Sequence, residues 1–355
     1  MRIGIIAPLE MRVPPVAYGG TELVVSLLTE ELVRRGNEVT LFASGDSITA
    51  ARLIPVCSHF LRGTDREKAV LNMLNAVNCL EMADEFDIIH NHTQLEGMSI
   101  AGLVRTPMLT TLHGNLKGDW LKLFYHYKGW YNTISRSAKE LLPERNNFIG
   151  VIYNAIEVKA YPFNGSRRDS YLLFLSRISP EKGPHLAIEV ARHTGMRLMI
   201  AGNVDSVDER YFREEILPRV DGDRIKYLGE VDFPRKVELL TGAYCLLAPV
   251  TWAEPFGLFM AESLACGTPV VALNRGSIPE VVKHGKTGFV VNTLKEMVEV
   301  IPQVDKISPY DCRRHVEENF DVPRMVDDYF NAYQLVLAQS AGSMISAGTL
   351  DKHAR

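Results

Sequence analysis

The stretch TWAEPFGLFMAESLACGTPVVAL, residues 251–273, decides how this chain reads. It carries two glutamates, Glu254 and Glu262, with seven residues between them. Pro255 suits the first turn of a helix, because its ring fixes φ and its missing N–H would be unpaired there anyway. That reading puts Glu254 in the loop before a helix and Glu262 two turns inside it, about 12 Å further along. Two carboxylates so spaced suit an elongated ligand gripped at two points. The amides of Phe256, Gly257 and Leu258 then fall among the first-turn donors that no helical carbonyl satisfies, with the positive end of the helix dipole behind them. Ala265, Cys266 and Gly267 close the helix, and Thr268-Pro269 leads into the apolar run 270–273. A helix that feeds a buried strand is the grammar of an α/β protein.

Composition bounds the rest. At 355 residues the chain exceeds one comfortable core, so two domains are expected. A hydrophobic fraction of 46% with 23% charged residues describes an ordinary globular protein, and a net charge of −4 gives nucleic acid no reason to bind. The cysteines, Cys57, Cys79, Cys245, Cys266 and Cys312, are odd in number and lack C-x-x-C spacing, which indicates neither a zinc site nor a disulfide framework. The apolar start is too short for a signal peptide, and no run approaches a transmembrane helix. A reducing cytoplasm is the expected setting.

Taken in order, residues 2–7 read as a buried strand. A long loop, 8–18, follows, then Gly19-Gly20 and a helix pattern over 21–35. Strand, glycine, helix lets backbone amides approach a phosphate, although no G-x-G-x-x-G is present. Strands are expected over 38–43, 87–90, 107–113, 131–135 and 148–153, with helices over 66–83 and 137–142. His90 and His92, in DIIHNHT, are read as facing opposite sides of a strand, so that one metal would not take both. His113 ends a strand and precedes glycine, where ligands bind in open α/β sheets. Residues 154–170 lack any apolar period and form the expected linker.

A second series follows, with strands over 171–176, 197–201, 225–228, 243–248, 270–273 and 287–291. Arg177 and Lys182 flank a loop that opens a helix, an arrangement that suits a diphosphate, with arginine as a fork and lysine as a point charge. Helices are expected over 294–300, 309–319 and 323–338, and the polar tail 340–355 is expected to be disordered. Two segments are decoys. Asp221-Gly222-Asp223 has the look of a metal-binding D-x-D but sits where Asp and Gly make turns. His284-Gly285-Lys286-Thr287 looks like the end of a phosphate loop, but Glu280 holds the position its first glycine requires.

AEPFGLFMAESLACGTPVVAL, followed by Gly276, Ile278-Pro279-Glu280-Val281 and Gly288-Phe289, resembles retaining glycosyltransferases of family 4 (glycosyl transferases group 1). YGGTELVV, TLHG, NAIE and SRISPEKG match further family segments in family order, with Ala155 where the family has glycine. MRVPPVAYGG is also similar to the branch that includes the transferase of avilamycin biosynthesis. The resemblance implies a GT-B fold: two Rossmann-like β/α/β domains facing a cleft, with the C-terminal helix crossing back to the first. The boundaries expected are 1–154 for an acceptor domain, 155–320 for a nucleotide-sugar donor domain, 321–340 for the returning helix and 341–355 for the tail.

The same resemblance implies roles. A sugar would pass from a nucleotide-sugar, UDP-sugar foremost, to a hydroxyl acceptor with retention, and no metal or other cofactor is expected. Arg177, Lys182 and the Gly20 amide would stabilise the leaving diphosphate. Glu254 and the amides of Phe256, Gly257 and Leu258 would hold the donor sugar, and Glu262 the ribose. His113 would contact a sugar hydroxyl near the reacting centre. Arg12, Tyr18 and His90 are acceptor-side candidates. The acceptor implied is a small molecule, a glycan or a lipid-linked species visited at the inner face of a membrane. A nucleotide-sugar epimerase or glycosyl phosphorylase shares this shape, and a non-catalytic nucleotide-sugar sensor is the alternative outside enzymes.

Overall fold

In the computed structural model the described residues are 1–16, 19–163, 165 and 171–350, with side chains described as far as residue 341. The chain divides into two compact units, Met1–Tyr153 with Val322–Arg355, and Asn154–Asp321.

The first unit holds strands β1 (Arg2–Ile6), β2 (Glu38–Ala43), β3 (Arg52–Pro55), β4 (Ile88–Asn91), β5 (Met108–Leu112), β6 (Trp130–Thr133) and β7 (Phe148–Val151). They form one parallel sheet in the order β3-β2-β1-β4-β5-β6-β7. The second unit holds β8 (Tyr171–Leu175), β9 (Arg197–Ala201), β10 (Ile225–Tyr227), β11 (Cys245–Ala248), β12 (Val270–Leu273) and β13 (Gly288–Val291). Its sheet is also parallel, in the order β10-β9-β8-β11-β12-β13. Both are doubly wound Rossmann-like sheets. Their central strands are buried apart from Arg2 at the start of β1, as expected of strands covered by helices on both faces.

In each sheet the order reverses next to the first strand, between β1 and β4 and between β8 and β11. Loops leaving such a pair diverge to opposite faces and open a crevice at the carboxyl ends of the strands. Every described site residue argued from sequence leaves a strand at, or next to, one of these two points or lies on the helix that follows.

Several elements differ from the sequence reading. Strand β3 has no counterpart there, because it is a short edge strand with an exposed, non-alternating pattern. The helices Leu95–Ile100 and Asp119–His126 are also additional. In the 251–273 segment the helix is Leu258–Ala265, three residues later than Pro255 suggested. Gly257 takes φ 81°, a left-handed conformation that no helical residue shares, so the first turn cannot begin before it. Glu262 therefore lies one turn inside the helix rather than two.

The final helix is Val322–Leu350, longer than the pattern over 323–338, and residues 351–355 lie outside the described residues. The tail expected to be disordered thus continues the helix as far as Leu350. Residues 341–350 include no proline, and their two glycines, Gly342 and Gly348, weaken the helix without blocking its hydrogen-bond ladder. This helix packs within the first unit, where Arg35 meets Asp327 at 2.5 Å and donates to the Pro323 carbonyl oxygen. Among the described residues no helix is long and apolar enough to cross a membrane.

Candidate functional site

In the second unit the loop after β8 carries Arg177, Lys182 and Gly183 into the helix Pro184–Thr194. Gly183 has φ 76°, and a Cβ there would stand 2.2 Å from the Pro249 carbonyl oxygen just past β11. Only glycine lets the two exits of the switch point approach so closely. The approach brings Lys182 to Glu254, Nζ to Oε2 at 2.6 Å, with both side chains almost fully buried. The Trp252 indole N–H donates to the same oxygen at 3.0 Å. The ammonium also lies over the rings of Trp252 and Phe259, at 5.4 and 5.6 Å. Burying an ion pair costs about as much as it returns, so such a pair is weak evidence for stability and fits a working site better.

Arg177 does not stand beside Lys182 as a second bare cation. Its guanidinium contacts Glu181, and Asp205 and Asp208 at 3.2 and 3.7 Å. Burial raises the Asp208 carboxyl above its usual range, against the pull of Arg177. A diphosphate reaching Arg177 would replace carboxylates with phosphate oxygens, an exchange of like for like.

Glu262 belongs to a separate cluster. Its Oε1 accepts from the Tyr161 hydroxyl at 2.8 Å and meets Lys236 Nζ at 2.5 Å. Burial and the neighbouring Glu262 charge push the Tyr161 phenol far up. Nothing in the sequence marked Tyr161 or Lys236. The Phe256, Gly257 and Leu258 amides lie at or before the helix start, and Met260 N–H closes back on the Gly257 carbonyl oxygen at 3.0 Å. Asp221 caps a turn, accepting from the amides of Asp223 and Ile225 at 2.8 and 2.9 Å.

In the first unit, three histidines gather at the ends of β4 and β5. The expectation that His90 and His92 face opposite sides is wrong. Side chains two apart on a strand share a face, because the pleat has period two. Their ring centroids are 3.9 Å apart. His90 is also not placed to touch an acceptor. It is fully buried, with Nε2 bonded to Thr111 and Nδ1 to the Tyr333 hydroxyl, both at 2.7 Å. His92 Nδ1 lies 2.8 Å from His113 Nε2. Burial lowers all three, His113 to about 3, so the cluster is uncharged at neutral pH.

One imidazole of the His92–His113 pair must donate and the other accept. Either choice of tautomers leaves one donor and one acceptor at the far nitrogens, His92 Nε2 and His113 Nδ1. Both are buried, and neither has a hydrogen-bond partner among the described residues. In one tautomer pair His113 Nδ1 donates to a hydroxyl, and in the other it accepts from one.

Gly20 opens the helix Gly20–Arg34, after Gly19 at φ 153°. Glu22, in the first turn of that helix, was not marked from sequence. It is buried, and burial raises its carboxyl to about 7, opposed by the amide hydrogen bonds of Glu22 and Met11. A glutamate three residues into a helix is the position that reaches back to an N-cap, and that signal could have found it. The Arg12 Nε is buried without a hydrogen-bond partner among the described residues, while the next amide, Val13 N–H, donates to Ser47 at 3.0 Å. Tyr18 lies outside the described residues.

Comparison with known proteins covers both units. Residues 162–309 match the family described as Glycosyl transferases group 1, and residues 18–159 match Glycosyltransferase Family 4. An uncharacterized glycosyltransferase of Methanocaldococcus jannaschii is 27% identical over 80% of this chain and 84% of its own. Among solved structures, AviGT4, a glycosyltransferase involved in avilamycin A biosynthesis, superposes with TM-score 0.71 at 23% identity, over 95% of this chain and 98% of its own. The Anabaena protein HepE, solved in complex with UDP and glucose, gives TM-score 0.74 at 20% identity, over 94% and 99%. Likenesses this distant in sequence establish the shared GT-B fold.

Proposed function

Because the chain is a glycosyltransferase of the group 1, family 4 type, we propose that it moves a sugar from a UDP-sugar to a hydroxyl acceptor, with retention at the anomeric carbon and without a metal ion. The observation that carries this reading is the buried Lys182–Glu254 pair at the switch point of the second unit, with Arg177 on the same loop. A cation beside a sugar-binding carboxylate is what the junction between diphosphate and sugar requires. The UDP and glucose in the HepE complex support the choice of donor.

In this reading the second unit binds the donor and the first the acceptor. The bond between the anomeric carbon and the diphosphate oxygen breaks on the face where the acceptor oxygen bonds, and the acceptor proton passes to the departing phosphate. Arg177 and Lys182 stabilise the developing charge. Glu254 accepts from a sugar hydroxyl, and the Phe256, Gly257 and Leu258 amides line the same sugar. Glu262 takes the ribose through Oε2, since Oε1 is committed to Tyr161 and Lys236. His113 contacts a hydroxyl near the reacting carbon, and Arg12 and Tyr18 belong to the acceptor side. The sequence MRVPPVAYGG supports assigning the chain to the avilamycin-type branch. The reaction is placed in the cytoplasm, with a visit to the inner membrane face where the acceptor is lipid-linked.

The test is a thermal-shift panel of UDP-, GDP-, ADP- and dTDP-sugars, with and without a chelator, followed by NMR of the anomeric proton in the product. A shift for UDP-sugars that survives chelation, and a product that keeps the donor's configuration, are expected. Inversion, or dependence on magnesium, would overturn those parts of the reading.

A further inference from the structure

We infer that Trp252 is a positioning residue that sets recognition of the donor sugar through Glu254. The inference rests on the reading of Glu254 as the carboxylate that accepts from that sugar. A carboxylate has two oxygens with about four acceptor sites, and its rotation decides which oxygen meets a ligand. Both side-chain donors at Glu254 go to one oxygen. Lys182 Nζ and Trp252 Nε1 reach Oε2 at 2.6 and 3.0 Å, and no hydrogen bond joins Oε1 to the described residues. Oε1 is therefore the oxygen turned to the ligand.

The backbone of Glu254 is held as well. Its carbonyl oxygen accepts from Ser277 N–H at 2.9 Å, and a Cβ on Gly276, at φ 58°, would stand 2.3 Å from its amide nitrogen. With main chain and Oε2 both fixed, the carboxylate has one orientation.

The two donors on Oε2 are not equivalent when a diphosphate arrives. Lys182 is a point charge that phosphate oxygens attract, so its bond to Glu254 weakens as the leaving group develops charge. The indole N–H is neutral and sits on a ring with only two side-chain torsions, so it stays on Oε2. Trp252 thus keeps Glu254 aimed at the sugar while Lys182 serves the diphosphate. Without the indole N–H the two tasks compete for one ammonium.

Calorimetric titration of the full chain with UDP, UDP-glucose, UDP-galactose and UDP-N-acetylglucosamine tests this, for the wild type, Trp252→Phe and Trp252→His. The readout is the ratio of Kd for each UDP-sugar to Kd for UDP. Phenylalanine keeps an aromatic ring but removes the N–H, and histidine restores a ring N–H. Losing a hydrogen bond to a charged acceptor should worsen the ratio for the preferred sugar about tenfold in Trp252→Phe, leave UDP itself within about twofold, and recover in part in Trp252→His. An unchanged ratio in Trp252→Phe overturns the inference alone. Equal losses for UDP and UDP-sugar also overturn it, since they would make Trp252 mere packing around Lys182. A wild type that binds none of these ligands removes the donor reading and the inference together.

Discussion

The Nδ1 atom of His90 lies 2.7 Å from the hydroxyl of Tyr333, 243 positions later in the chain. Both residues are fully buried, and the neighbouring Tyr329 hydroxyl reaches Thr111 at 3.1 Å. The final helix is therefore fastened to β4 and β5 of the first unit by polar contacts inside its core. A buried polar pair is costly to break, because the surviving partner stays desolvated and unpaired.

Replacing Tyr333→Phe leaves His90 Nδ1 without its partner. The expected loss is about 1–3 kcal/mol, seen as a fall of several degrees in the thermal midpoint of the first unit. A midpoint equal to wild type would show that the hydroxyl does nothing there.

The histidine cluster makes the first unit sensitive to acid. His113 titrates near 3 when folded against 6.5 ordinarily, and His90 and His92 are lowered too. Between those limits the unfolded chain binds protons that the folded chain refuses. The His113 contribution to stability is complete above pH 6.5 and is lost as pH falls towards 3, at about 1.4 kcal/mol per pH unit, and His90 and His92 add in the same direction. Denaturant titrations at pH 7.5 and 5.5 should differ in that direction, and His92→Gln should reduce the difference. Equal stability at the two values would contradict the burial of the cluster.

Glu22 acts with the opposite sign. Its carboxyl is raised from 4.5 to about 7, so between those values the folded state binds the extra proton and stability falls as pH rises. Glu22→Gln keeps an acceptor for the Met11 amide and removes the charge. It should stabilise the chain at pH 8 by about 1–3 kcal/mol and change little near pH 4.5. Destabilisation at pH 8 would mean that the charge itself is needed.

The Lys182–Glu254 pair separates stability from turnover. Lys182→Met or Glu254→Gln alone strands a buried group and should cost about 3–5 kcal/mol, whereas the double variant should recover most of that loss. Recovered stability with turnover still reduced at least a hundredfold would mark the pair as catalytic. Full turnover in the double variant would remove both residues from the mechanism.

Local sequence carried a large part of the architecture. The apolar runs at β2, β9 and β12 coincide with the strands residue for residue, and the loop flanked by Arg177 and Lys182 opens a helix as read. These are near-neighbour effects: burial period, ring-locked φ, absence of a Cβ. The family motifs likewise marked Arg177, Lys182, Glu254 and Glu262 before any contact was known.

Contacts made across the chain are what the tertiary structure alone decided. Whether His90 is a ligand or a fastener depends on Tyr333, and no local pattern links residues so far apart. The orientation of Glu254 depends on where β8 and β11 deliver Lys182 and Trp252. The separation of Glu262 into its own cluster depends on Tyr161 and Lys236, and on Gly257 delaying the helix. Local sequence determines which backbone forms and which chemistry is carried. Folding determines which oxygen or nitrogen of each side chain is already committed, because burial forces polar atoms to find partners wherever the chain brings them.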